Sequence, residues 1–207
     1  MTPAERGRRA GEVTQKFILG VIAGGAAAIG VVEVVLLIVR VAGLLGDEAV
    51  TVAGIPLASP LEPDFAAGLA AVTAASYDSV TLTIAGLVGS ARGALVGAAI
   101  VTSLLSIAVC AVVAWLALRV FLGRPFVTSA SWGIGLVAVL AISVGFLQPM
   151  FLGFAHAEIA QQLGTDALPT FLVELDPAPI AWGLALAVVG AAFELGQRMQ
   201  RDTEGLV

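Results

Sequence analysis

Charge is what this sequence lacks most. Only 12% of its 207 residues are Asp, Glu, Lys or Arg, against about 25% in an ordinary soluble domain. Hydrophobic residues make up 59%, and the mean hydropathy is +1.02. A chain this apolar would expose far too much hydrocarbon to water, so lipid is its expected solvent. Cysteine is nearly missing as well. Cys110 stands alone inside an apolar run, which excludes an internal disulfide and leaves a thiolate metal site without a second sulfur. Lysine is scarce beside arginine, and Ala, Gly and Val dominate, the bias of a GC-rich bacterial genome. The net charge of −5 does not suit a nucleic-acid surface, so direct nucleic-acid binding is not expected. There is no Gly-rich phosphate loop, no Ser-His-Asp pattern in polar surroundings and no Cys pair. Neither enzymatic activity, a cofactor nor a metal is therefore expected.

What the chain does have is four long apolar runs, at about residues 17–45, 93–118, 132–155 and 180–195. The first three meet the ~20 residues that a membrane helix needs. The fourth, from Ile180 to Leu195, is the shortest and spans only if its ends snorkel or the bilayer thins. Arg6, Arg8, Arg9 and Lys16 precede the first run. That run is too long for the ~7–15-residue core of a signal peptide and no small-residue cleavage site closes it, so an uncleaved helix is expected. The fold class follows: an all-α integral membrane protein, its four helices in an antiparallel bundle, forming one membrane domain over residues 1–207.

Basic residues fall almost entirely on one side. The N-terminal arm, the link with Arg119 and Arg124, and the tail with Arg198 and Arg201 hold nearly all of them. The link before the fourth run has no Lys or Arg but carries His156, Glu158, Asp166, Glu174 and Asp176. The long link between the first two runs sets Asp47, Glu48, Glu62, Asp64 and Asp78 against Arg92. Both termini are therefore expected in the cytoplasm of a bacterium, and both acidic links outside the cytoplasmic membrane. Trp115, Trp132 and Trp182 fall near the ends of runs, as interfacial aromatics do.

The first outer link, residues 46–92, is too apolar for a solvated linker. Val50–Leu57 and Ser79–Leu87 are rich in Val, Thr and Ile, and Ser79–Ile84 partly alternates. Two strands with a short helix at Phe65–Ala75 between them would make a small strand-containing cap.

Glu33 is the least expected residue. It interrupts Val31-Val32-Val34-Val35 within the first run. A charge at a helix centre costs about 2.5–3.5 kcal/mol, and each Val, Leu or Ile returns about 0.3–0.6, so the helix still inserts. Sixteen residues beyond Phe17, Glu33 lies about 24 Å along the helix. It is either an acid that binds a cation, a proton or a polar ligand group, or a structural carboxyl bonded to a neighbouring helix. Arg40 shares its face about 10 Å further on and would snorkel outward or touch an acid of the cap. Gln148 reaches a similar depth in the third run, where Pro149 frees a backbone carbonyl. Glu33, Arg40 and Gln148 could line a polar pocket, or Gln148 could serve only that carbonyl.

Smaller signals carry bland expectations. Gly89, Gly93 and Gly97 form a small-residue ladder, with a shorter one at Gly20 and Gly24, for close helix packing or a homo-oligomer seam. Thr102, Ser103 and Ser106 should bond to their own helix backbone. His156 and Glu158 should be solvated or capping residues, since the chain has no second His to complete a metal site.

The tail, Phe193-Glu194-Leu195-Gly196-Gln197-Arg198-Met199-Gln200-Arg201-Asp202-Thr203-Glu204-Gly205-Leu206-Val207, resembles the ending of the bacterial four-helix membrane family catalogued as domain of unknown function 2975. Members commonly close with a Phe, a Gly three residues later, Leu-Gln or similar, an acid, and Glu-Gly-Leu-Val. The link Gly123-Arg124-Pro125-Phe126 resembles the family's Gly-x-Pro-Phe before its third helix. The resemblance implies a four-helix membrane protein of unknown activity and a functional link to a small cytoplasmic helix-turn-helix regulator. It carries over no catalytic residues. The function expected is non-enzymatic, envelope sensing or regulation through a cytoplasmic partner, with a small transporter or ligand-binding subunit using Glu33 as the alternative.

Overall fold

A computed structural model describes residues 3–46, 48–61, 77–122, 128–165, 167–169 and 171–204. Four helices and two strands follow in the order α1 (Pro3–Leu45), β1 (Val50–Leu61), β2 (Tyr77–Ile84), α2 (Gly89–Phe121), α3 (Thr128–Leu163) and α4 (Pro177–Glu204). All four helices contain a stretch long and apolar enough to cross a membrane. The expected helix at Phe65–Ala75, the Gly123–Phe126 motif and the closing Gly205-Leu206-Val207 lie outside the described residues.

The helices are longer than the apolar runs that announce them. α3 continues eight residues beyond Ala155, because Ala155, Ile159 and Ala160 are buried and hold the extension in a core. Gly164, with φ 60°, then ends it, its N–H bonding back to Ala160 O at 3.0 Å. The fourth span also needs correction. It covers 20 residues, Pro177–Gly196, and needs neither thinning nor snorkelling. Pro177 and Pro179 do not break its start, because a first helical turn has no use for the missing N–H. Asp176 caps it, accepting from Ala178 N at 2.9 Å.

The chain divides into two compact units. The first comprises residues 1–37, 101–145 and 176–207. Here α1 meets α2 at Gly30, where an added Cβ would lie 3.3 Å from Cys110 Cβ. α3 and α4 are closer still. A Cβ on Gly183 would lie 2.6 Å from Ile142 Cγ1 and 2.8 Å from Ala138 O, and one on Gly145 would lie 2.5 Å from Ile180 Cγ1. Such small residues let helix backbones approach and gain dispersion contacts.

The second unit comprises residues 38–100 and 146–175. Its sheet has two antiparallel strands, with Val50 opposite Ile84 and Val52 opposite Leu82. Ile55 is then opposite Val80, so β1 carries an extra residue between Val52 and Ile55. Gly54, at φ 72°, takes up that bulge. The bulge shifts the phase of the strand and keeps Val50, Val52 and Ile55 on the buried face. They join Ile84, Leu87, Ala91, Leu95, Ala155, Ile159 and Leu168 in a single core. The two strands thus lie near the expected stretches. β1 runs on to Leu61 across Pro56 and Pro60, with a second irregularity between Pro56 and Leu61.

Within the chain, the glycine ladders are closely packed only at Gly97. Among the described residues nothing comes within 4 Å of a Cβ placed on Gly20, Gly24, Gly89 or Gly93, and only Gly97 of the five is approached, by the Phe151 ring at 2.8 Å. Four-residue spacing marks a face of a helix but not whether that face meets a neighbour. Gly183→Ala should therefore destabilise the protein by about 1–3 kcal/mol through overpacking, and Gly24→Ala should leave it unchanged. Unfolding of both variants in detergent checks the pair. Equal effects would disprove the α3–α4 seam.

Candidate functional site

The polar residues worth most attention fall into one pair in the first unit and one frame in the second. In the first, the Glu33 carboxylate accepts from Ser103 Oγ at 2.8 Å. Ser103 is completely buried on α2 and Glu33 is half-buried on α1. This corrects the expectation that Ser103 bonds to its own backbone: a buried hydroxyl facing a carboxylate gains more from a charge-assisted bond than from an already bonded carbonyl. Four residues back from Ser143 Oγ, Val139 O does accept such a bond at 2.8 Å, so the chain uses both devices.

The other members of the expected pocket lie in the second unit. Arg40 is exposed on α1, and Gln148 is half-buried on α3, directly before Pro149. α3 runs through that proline as one helix.

The second unit's polar frame centres on Arg92, in the first turn of α2. Its Nε donates to Leu87 O at 3.1 Å and its Nη1 to Leu44 O at 3.1 Å. Nη1 also donates to Gly46 O, and Nη2 to Glu48 O at 3.3 Å. The guanidinium therefore gathers the orphan carbonyls where α1 ends and the chain turns toward β1. α1 has no basic residue in its own last turn, and a cation there complements the helix dipole.

α3 completes the frame. Gln162 Nε2 donates to Gly86 O at 2.9 Å, and its Oε1 accepts from Val88 N at 3.2 Å. One turn earlier, Glu158 Oε2 accepts from Ser90 Oγ at 2.8 Å. Ser90 lies in the first turn of α2, where a carboxylate suits the positive helix end. Glu158 thus has a capping part. Its neighbour does not fit the solvated reading: His156 is only 8% exposed. Its Nε2 has no hydrogen-bond partner among the described residues. The physical reason is the extension of α3, which carries His156 into packed surroundings instead of releasing it into a loop.

Sequence reasoning missed Arg92, Ser90, Gln162 and Ser103. Arg92 did leave a signal, as the lone cation of an otherwise acidic link. The others left none, because their partners are 68 to 76 residues away or, for Ser103, 70. No group of three His, Cys, Asp or Glu that could hold a metal occurs among the described residues. Comparisons with family models, curated proteins and solved structures return no match.

The Glu33–Ser103 bond joins two spans, so its strength is measurable as a coupling. In a double-mutant cycle of Glu33→Gln and Ser103→Ala, the coupling should be about 0.5–1.7 kcal/mol, the range of hydrogen bonds between membrane helices. Additive effects in detergent unfolding would show that the two do not interact.

Proposed function

We propose that this chain is a multi-pass protein of the bacterial cytoplasmic membrane, with both termini in the cytoplasm. The sheet-bearing unit is its extracytoplasmic cap. The protein is non-enzymatic and passes a change at that cap to a cytoplasmic partner. The observation that supports the reading most is the cap's construction. Residues of two acidic links, which the distribution of Arg and Lys assigns to the outside, share one hydrophobic core with the ends of three helices. Anything that repacks that core acts directly on the ends of spanning helices.

The tail's resemblance to the four-helix family supports a small helix-turn-helix regulator as the partner, met by the arm and tail that carry the basic residues. A homo-oligomer is the other assembly compatible with the exposed faces of α1 and α4. Glu33 supports a second reading, a small transporter or ligand-binding subunit. A half-buried acid inside an apolar span is the residue such a protein needs. Its bond to Ser103 serves a structural role equally well.

Cysteines placed at the exposed Ser59 and Glu174, in a Cys110→Ala background, should react with an impermeant maleimide in intact cells. Reaction only after lysis would reverse the orientation. A photo-crosslinking side chain at Met199, exposed near the end of α4, should capture a small helix-turn-helix protein in living cells. Crosslinks to lipid and to copies of the chain alone would remove the regulatory reading.

A further inference from the structure

α3 and α4 are in tight contact at Gly183 and Gly145 and in looser contact nearer the start of α3, where a Cβ on Gly190 would lie 3.6 Å from Ile134 Cγ2. A groove of about 650 Å³ opens there. Its walls include Gly135, Val139, Ile142 and Ala187, and Trp132 and Glu194 stand at one end. Nothing lies within 4 Å of a Cβ added to Gly135, so the floor of the groove is unfilled by described residues. The charged end is a pair. Arg198 Nη2 donates to Glu194 Oε1 at 2.6 Å, with the two side chains 70% and 57% exposed. Trp132, which lines the groove together with Glu194, is 74% exposed.

We propose that this groove binds one aminophospholipid, with an acyl chain against Gly135, Val139 and Ile142 and its phosphoethanolamine headgroup on Glu194 and Arg198. The inference rests on the membrane reading above, and not on which side the termini occupy. Two observations choose this occupant. The first is length. The twelve residues from Ser131 to Ile142 rise about 16 Å, matching one leaflet of a ~30 Å hydrocarbon core. The second is charge. A carboxylate and a guanidinium side by side complement a zwitterion: Glu194 accepts from the ammonium, and Arg198 donates to the phosphate. An anionic glycerol headgroup would offer Glu194 no cation. A choline headgroup would offer one that cannot donate a hydrogen bond. Exposed Trp132 sits where interfacial indoles sit, at the headgroup boundary. A helix from a second copy would instead have to bury this charged pair, at a cost that its apolar contacts would need to offset.

Trp132 reports on the site directly. In a Trp115→Phe, Trp182→Phe background, the full chain is reconstituted into phosphatidylcholine vesicles. Phosphatidylethanolamine or phosphatidylglycerol, brominated near the headgroup end of its chains, is added at equal mole fraction. The ethanolamine lipid should quench Trp132 at roughly tenfold lower mole fraction, the equivalent of about 1.4 kcal/mol. Glu194→Gln should abolish that preference without reducing quenching by the glycerol lipid. Ala187→Leu, which fills the groove, should weaken quenching by both. Equal quenching by the two lipids in the parent chain would overturn the proposal, as would a preference that survives Glu194→Gln. Trp132 shielded from both lipids in a dimer would overturn it too, and assign the groove to a second copy. Flotation of the vesicles separates the two levels: a chain that fails to float with lipid refutes the membrane reading itself, and one that floats without the preference refutes only this site.

Discussion

A helix that ends inside a folded unit must find partners for its last carbonyls, and in this protein one side chain from elsewhere supplies them. Arg92 reaches Leu44, Gly46 and Glu48 across more than forty residues of chain, and holds its own approach segment through Leu87. Bonds from a charged donor are each worth about 1.5–3 kcal/mol when shielded. Only a guanidinium has the fork to serve several carbonyls at once. The position has a cost, because a cation in the first turn opposes the dipole of α2. Glu158, bonded to Ser90 in the same turn, offsets it. Through these contacts the end of α1, the start of β1, the start of α2 and the last turns of α3 fix one another. The core of Val50, Ile55, Ile84 and Ile159 then fills a frame that polar groups have set. The same demand accounts for the single arginine of an otherwise acidic link.

The first unit solves its problem with fewer polar groups. Its helices expose most of their apolar surface, and the candidate span of α1 buries none of its residues within the chain. Contact between them comes from close approach and from an occasional polar bond. Gly183 against Ile142 is an instance of the first, and Glu33 with Ser103 of the second. Glu33 is therefore tolerated in an apolar span partly because α2 places a hydroxyl opposite it.

What could be read from the sequence was whatever depends on neighbours along the chain. Four helices and two strands follow from runs of apolar residues and from the alternation of Val, Thr and Ile around Ser79–Ile84. The bulge at Gly54 that rephases β1 was not legible, since it depends on what β2 places opposite. Helix ends were misjudged wherever a polar residue interrupts an apolar run. His156 and Glu158 appear to close the third run, yet the helix continues, because the next turn supplies Ile159 to a core built from distant strands. Gly89 and Gly93 meet no described residue of the chain for the converse reason: spacing fixes a face, and tertiary packing decides whether anything covers it. The polar pairs were invisible, since Ser103, Gln162 and Ser90 acquire meaning only from residues some seventy positions away.

The claim that the second unit is organised around the Arg92 guanidinium is tested most directly by amide hydrogen exchange on Arg92→Lys in nanodiscs. Lysine keeps the charge and loses the fork. Exchange should be about tenfold faster or more in the last turns of α1 and in β1 from Val50 to Ile55, with α4 unchanged as an internal control. Exchange at the wild-type rate in both segments would contradict it.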